Sequence, residues 1–418
     1  MTDKLLVAIP TYNRARDIDV FLRHELFLKE MAEIDVCIYD SSEENATREV
    51  VDEYRNQGFS NLNYVHLDST EYSNSKLFLV YEQNCTCYKY IWFLHDHTVF
   101  TKDAMQYILE RLKENRDFYF LDMQRGTDFC THTYGELQEF GADAAWFLGK
   151  MGASILNSET FLKDVDWQYY LKKYLWSEKA SFAHIGFYLE RASQIAEFSA
   201  VKLSFPRGSF CDTYKHKRLT WDDSVLQVCT QCWGEVITAL PDVYCNKSEI
   251  LQTMDQYFIT KYKLIEHKAK GIYTYDDFLK YEKWIKEIFP GVYEVAREIA
   301  LLPEEQIKEK YISPLVNKVE QMRKDGYGIY IYGAGRHGVE CADFFEICNI
   351  KIDGFVVTNM DGNPDRIREY PVNDLKSVLE KNEKVFAILA VMELMQKEII
   401  KDLKVELEQG RDIMWMAF

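Results

Sequence analysis

The stretch "LLVAIPTYNRARDIDVFL", residues 5–22, decides how this chain is to be read. Five apolar residues run to Ile9, Pro10-Thr11 interrupts them, and Ile18, Phe21, Leu22 and Leu26 then recur at i, i+3, i+4 and i+8. The first run reads as a short buried strand and the second pattern as one face of a helix, with Asn13 placed to cap it. The alternation returns along the first 125 or so residues. "DVCIY" (35–39) precedes a helix carrying Val50, Val51 and Tyr54, and "LNYVHL" (62–67) precedes a helix around 76–89. "YIWFL" (90–94) precedes a helix started by Thr101, and "DFYFLDM" (117–123) reads as a further strand. Strands alternating with helices predict an α/β fold with a mostly parallel sheet. Ligands of such sheets sit at the carboxyl ends of the strands. Pro10-Thr11, Asp40-Ser41 and His95-Asp96-His97 all fall at such ends and should converge.

A chain of 418 residues is long enough for two or three domains. The pattern divides it into an α/β domain at 1–235, a helical linker or subdomain at 236–324, and a small α/β domain at 325–418. With 50 basic and 67 acidic residues the formal charge is −17, which argues against nucleic acid as a partner, since neutralising phosphates needs clustered Lys and Arg. Ten cysteines without a disulfide framework suit a reducing compartment. Cys229 and Cys232 have the spacing of half a zinc site with no second pair, so ordinary thiols are expected. The start, "MTDKLLVAIP", lacks the marks of a secretory leader. No run approaches the ~20 apolar residues of a membrane span, and the cytoplasm is the expected location.

Three segments in order, "LLVAIPTYNRARDIDVFL", "IYDSSEENAT" and "YIWFLHDHTVF", resemble the inverting family 2 glycosyltransferases, over roughly residues 4–200. The resemblance implies the GT-A nucleotide-sugar-binding fold, Rossmann-like in its N-terminal domain. It implies a nucleotide-sugar donor, a UDP-sugar first of all, with Mn2+ or Mg2+ as cofactor. By the same resemblance Pro10, Thr11, Asn13 and Arg14 lie against base and ribose, and Asp40 accepts a hydrogen bond from the base. An acceptor-only carboxylate suits that task. Lys76 matches a position near the donor. In the family an Asp-x-Asp or Asp-Asp cluster follows the fourth strand, where this chain has "HDHT". Asp96 is then the retained acid, touching ribose and metal, and His97 stands where the metal-binding carboxylate would be. His95 is expected to point the other way along an extended chain. The basic loop "FPRGSFCDTYKHKRLTW" (205–221) would close over the diphosphate, with His216 as a late metal or phosphate ligand.

"GKMGASILNSETFL" (149–162) matches the Gly-rich segment and strand that line the family's acceptor site. An inverting displacement needs a base for the acceptor hydroxyl. No clean Glu-Asp pair follows, and Glu178 and His184 in "LWSEKASFAHIGFYLERA" are candidates, with Asp143 in "EFGADAAWF" a third. Trp146, Trp167, Tyr169, Tyr170 and Trp176 would suit stacking on sugar rings, though core packing is the commoner fate of such residues. The acceptor implied is a glycan, lipid-linked or protein-linked, in assembly of bacterial cell-surface polysaccharide or glycoprotein glycan. Peripheral contact with the inner face of a membrane and a homo-oligomer are compatible with this.

"IYGAGRHGVECADFF" (329–345) spaces Gly333, Gly335 and Gly338 as Gly-x-Gly-x-x-Gly between a strand and a helix. "KIDGFVV" (351–357) and "KVFAILAV" (384–391) continue the pattern. A dinucleotide site would want an acid ending the second strand; Thr358-Asn359 stand there, with Asp361 further on, which argues against NAD. The region resembles the small Rossmann-like modules attached to bacterial surface-polysaccharide enzymes. Two rival readings stand beside the main one: a degenerate nucleotide-sugar-binding scaffold of a glycan-assembly complex, and a sugar-nucleotide enzyme acting through the C-terminal domain.

Overall fold

A computed structural model describes residues 2–68, 73–123, 126–177, 180–213, 222–360, 363–391 and 393–418. They fall into two compact units, residues 1–214 with 227–255, and residues 215–226 with 256–418. The stretch read as a separate helical segment is thus shared out, with 236–255 in the first unit and 256–324 in the second.

In the first unit the strands are β1 (Thr2–Thr11), β2 (Ile34–Asp40), β3 (Leu62–His66), β4 (Tyr88–Phe93), β5 (Thr98–Phe100), β6 (Phe118–Asp122), β7 (Cys130–Thr133), β8 (Ser154–Asn157), β9 (Ala200–Ser204) and β10 (Phe210–Asp212). The helices between them include α1 (Ala15–His24), α2 (Ala46–Asn56), α3 (Ser73–Asn84), α4 (Lys102–Leu112), α5 (Leu137–Ala144), α6 (Trp167–Tyr174) and α7 (Ala183–Gln194). Eight strands form one sheet in the order β3-β2-β1-β4-β8-β6-β9-β7. The half that holds the candidate site, β3-β2-β1-β4, is parallel, and β8 runs antiparallel to both β4 and β6. This mixed, mostly parallel α/β sheet is consistent with the GT-A expectation. Leu5 to Ile9 are all buried, as a central parallel strand covered on both faces requires.

Helix α1 buries Ile18, Phe21 and Leu22 as its spacing predicts. Leu26 does not join them, because the helix stops at His24 and Leu26 lies 37% exposed. Asn13 is not the cap either. Arg14 holds the N-cap position without a side-chain bond, and Asn13 sits in the left-handed region at φ 53°. Asparagine tolerates that region better than most residues. Its backbone N–H donates to Ser42 Oγ at 2.7 Å, so the residue turns the chain and ties the first loop to the second. Thr101 does cap α4, accepting from the Ala104 amide.

The second unit holds β11 (Gly328–Tyr332), β12 (Gly354–Val357), β13 (Arg366–Ile367), β14 (Tyr370–Asp374), β15 (Lys384–Leu389) and β16 (Asp412–Ala417), in the order β13-β14-β12-β11-β15-β16. All its pairings are parallel except β13 with β14. The glycine turn follows β11 and opens the helix Arg336–Ile347. Gly333 has φ 117°, and a Cβ there would lie 2.7 Å from the Ala390 carbonyl oxygen, so only glycine fits. Thr358 ends β12 within reach of the Tyr332 hydroxyl, at 3.3 Å; Asp361 lies outside the described residues. The helix Tyr275–Ile288 begins with a complete capping box between Thr274 and Asp277. Among the described residues no helix is long and apolar enough to cross a membrane.

Candidate active site

Three strand ends build the site. β1 and β2 pair in parallel so that Thr11 lies opposite Asp40, and the Leu94 amide leaving β4 donates to the Ala8 carbonyl at 2.9 Å. The loops carrying Thr11, Asp40 and Asp96 are therefore held side by side at one edge of the sheet.

Asp40 is fully buried. Its Oδ1 accepts from the Ser42 amide at 2.9 Å and the Ser42 hydroxyl at 2.5 Å, and its Oδ2 from the Tyr64 hydroxyl at 3.0 Å. A carboxylate has about four acceptor sites, so one remains for a further donor beyond these. Lys76 is also buried, and its Nζ donates to the Thr11 carbonyl at 3.0 Å and to Ser41 Oγ at 2.5 Å. It ties the first and second loops together from below.

Asp96 is 2% exposed. Thr11 Oγ1 donates to its Oδ2 and Arg14 to its Oδ1, each at 3.1 Å, and His97 Nδ1 lies 3.2 Å from Oδ1. Burial alone would raise this carboxyl, but the His97 hydrogen bond and the Arg14 charge outweigh it and hold the group below its ordinary range. The chain here is a turn, not the extended segment anticipated. The Thr98 amide donates back to the His95 carbonyl at 3.2 Å, and the His95 and His97 rings face each other with centroids 4.6 Å apart. His95 therefore joins Asp96 and His97 instead of pointing away, and one ligand atom from each of the three lies within 4.8 Å of the others. Burial, with the neighbouring His97 second, pushes the His95 imidazole down to about 4, so the ring is neutral at ordinary pH.

The far side of the turn was not foreseen. β5 pairs with β10 so that Thr98 faces Asp212, and the Thr213 amide donates to the His97 carbonyl at 2.8 Å. Asp212 accepts from Thr98 Oγ1 at 3.0 Å and from Lys150 Nζ at 3.2 Å. Burial would raise its carboxyl, yet the charges of Lys150 and His97 and the Thr98 hydrogen bond bring it below the usual value. In the sequence Asp212 stands in "FCDTYKHK", directly before a run of basic residues.

The other candidates are scattered. Glu178 and His216 lie outside the described residues. His184 is buried in α7 and its Nε2 lies 3.1 Å from the Leu148 carbonyl, with burial lowering the imidazole to about 4. It sits against the segment that carries Lys150. Asp143 accepts from the Tyr134 hydroxyl at 2.6 Å and from Lys202 on β9 at 2.8 Å, so it belongs to the β7–β9 edge and is not brought to the Asp96 turn. Trp167 and Tyr170 are core residues, Tyr169 and Trp176 are exposed at 43% and 41%, and Trp146 packs on Phe182 and Trp233. Cys229 and Cys232 are buried and in no disulfide.

Residues 6–176 match the model of glycosyl transferase family 2. The N-terminal unit is a family 2 glycosyltransferase domain. The chain is accordingly an enzyme of the glycosyltransferase type, and its three strand-end loops lie within the matched residues. No curated protein sequence matches the chain. Among solved structures it is similar to S. aureus TarS 1-349, at 15% identity over 74% of this chain and 92% of that one, with a TM-score of 0.45. It is also similar to the mannosyltransferase PcManGT from Pyrobaculum calidifontis, at 11% identity over 74% and 88%, TM-score 0.36. A third is glucosyl-3-phosphoglycerate synthase from Mycobacterium tuberculosis, at 12% identity over 57% and 81%, TM-score 0.37. These overlaps are too loose to carry residue roles across.

Proposed function

We propose that this glycosyltransferase moves a sugar from a nucleoside diphosphate donor, UDP-sugar first, to a hydroxyl of a glycan acceptor by a single inverting displacement. The observation that carries the reading is the Asp96 turn held by Thr11 and Arg14 beside buried Asp40, at the carboxyl end of the parallel strands. Asp40, with one acceptor site left beyond Ser42 and Tyr64, takes a base N–H. Asp96 contacts the ribose, and Arg14, about a third exposed, turns its guanidinium to phosphate. Two imidazoles and a carboxylate fit a divalent cation, which when bound would offset the charge growing on the departing diphosphate. Lys150, on Asp212, adds local positive charge in an acidic chain, and His216 in the basic stretch 205–221 stays our candidate, from sequence, for a diphosphate or metal ligand.

Glu178, just before α7, is our candidate for the group that takes the acceptor proton. The acceptor is a cell-surface glycan or its lipid-linked or protein-linked precursor, in a bacterial setting. Asp96→Ala should lower turnover of the UDP-sugar by roughly 10²–10³-fold, the scale of losing a charge-stabilising group, while the melting temperature stays within a few degrees. Full residual turnover in that variant would remove Asp96 from the site.

A further inference from the structure

We infer that β16 is the surface through which the second unit pairs with a second copy of this chain, strand to strand and antiparallel about Trp415. The inference is independent of the donor-site reading, since it uses residues of the second unit alone.

β16 ends the six-stranded sheet and pairs with β15 alone. Leu389 lies opposite Ala417, and the Phe418 amide donates to the Leu389 carbonyl at 3.1 Å. In a parallel ladder a residue turns its N–H and C=O to one side, and the side alternates along the strand. Asp412, Met414, Met416 and Phe418 therefore face β15 with their main-chain groups. Ile413, Trp415 and Ala417 turn theirs outward, and among the described residues no other main chain bonds them there. The side chains do not shield this edge. Asp412 is the strand's only charged residue, and Tyr327 and Lys384 already hold it. Met414 is 39% exposed and Trp415 is only partly buried. Native sheets protect such edges with lysine, proline or very short strands. The opposite edge, β13, is two residues long and is followed by Arg368 and Glu369. In the first unit the edge strand β7 is Cys-Thr-His-Thr, and β3 exposes Asn63 and His66. Of these edges β16 is the longest, and it has no polar residue after its first.

The occupant follows from the symmetry of the edge. The outward residues are centred on Trp415, so a twofold axis there sets Trp415 against the same residue of the second copy, and Ile413 against its Ala417. Each such antiparallel pair exchanges two main-chain hydrogen bonds, about six in all, within the roughly 5–15 of a typical interface. Between them Met414 meets Met416 of the second copy, and Asp412 falls opposite Phe418, so no like charges are opposed. The pair is closed and isologous. It satisfies every outward main-chain group of β16, and the joined sheet then ends at both sides on the short, charged β13.

The test is the mass of the full chain by light scattering over a concentration series, with amide exchange read along residues 413–418. The expected result is a dimer at high concentration, in which the amides of Ile413, Trp415 and Ala417 exchange as slowly as those of Met414 and Met416. Ala417→Pro removes an outward N–H that β15 does not use, a change an edge strand tolerates. It should weaken the dimer by roughly tenfold or more, as for two lost hydrogen bonds, with the circular dichroism unchanged. A chain carrying both Met414→Lys and Met416→Lys sets lysine against lysine and should be monomeric. Mixing it with a chain carrying Met414→Glu and Met416→Glu should restore a mixed dimer, a rescue that decides the matter even where Ala417→Pro fails to fold. A monomer at every concentration overturns the inference. So does a dimer that none of these variants weakens, or one whose outward amides exchange fast.

Discussion

Glu25 shows what a single buried carboxyl does to this domain. It follows α1, is fully buried, and accepts from the Phe100 amide at 2.8 Å through Oε1. Its Oε2 has no hydrogen-bond partner among the described residues. Burial pushes the carboxyl up to about 8, against the smaller opposite pull of the Phe100 amide. The folded protein therefore holds a proton that the unfolded chain releases above its ordinary value of 4.5. The stabilising contribution is complete below that value and is lost as pH rises through about 8, at about 1.4 kcal/mol per pH unit in between. Denaturant titrations from roughly pH 5 to 8 should show this fall in the wild type and a flatter profile in Glu25→Gln; parallel profiles would contradict the assignment. At Asp40 the prediction concerns binding. Asp40→Asn places an N–H donor where Ser42, Tyr64 and the base all need an acceptor, and UDP affinity should fall by roughly 10-fold or more, as for a lost charge-assisted bond. Calorimetry with UDP checks it, and unchanged affinity would remove Asp40 from base recognition.

At the scale of elements, Gly152 couples the segment entering β8 to the Asp96 turn. Its φ is 96°, its carbonyl accepts from the Trp92 indole at 2.7 Å, and a Cβ would lie 2.7 Å from Leu94 Cδ1. Gly152→Ala should cost about 1–3 kcal/mol through strain and crowding. It should also weaken metal and nucleotide binding, because Leu94 leads directly into His95. A stability loss with binding intact would show that the turn is insulated from β8. The strands and helices of this half were legible from sequence because their signals are local: the apolar run 5–9, the spacing of Ile18, Phe21 and Leu22, and the Thr101 cap. The missed features depend on backbone geometry or on distant pairing. A three-residue "HDH" does not disclose whether it turns, so the orientation of His95 could not be read. Asp212 meets Thr98 across 114 residues, and no periodicity announces a pairing of that range. Asn13 looked like a cap because its residue type favours caps, and the same short polar side chain instead let it take the left-handed turn.

At the scale of the molecule, a chain of net charge −17 must hold a diphosphate with a few local groups. The described ones lie together: Arg14 on Asp96, Lys150 on Asp212, Lys76 under Thr11 and Ser41. The two α/β units were visible in the sequence as two separate strand–glycine or strand–loop–helix beginnings, at 5–22 and 328–347. The assignment of the helices between them was not, since amphipathic spacing shows that a helix has a buried face but not which sheet covers it. On the function proposed above, the Asp96 turn is a working, metal-assisted nucleotide site. Its most direct test is calorimetric binding of UDP and GDP to the wild type and to His97→Ala, each with Mn2+ and with EDTA. UDP binding should tighten at least tenfold with Mn2+ in the wild type and lose that gain in His97→Ala. Nucleotide binding indifferent to both Mn2+ and His97, or none at all, would contradict it.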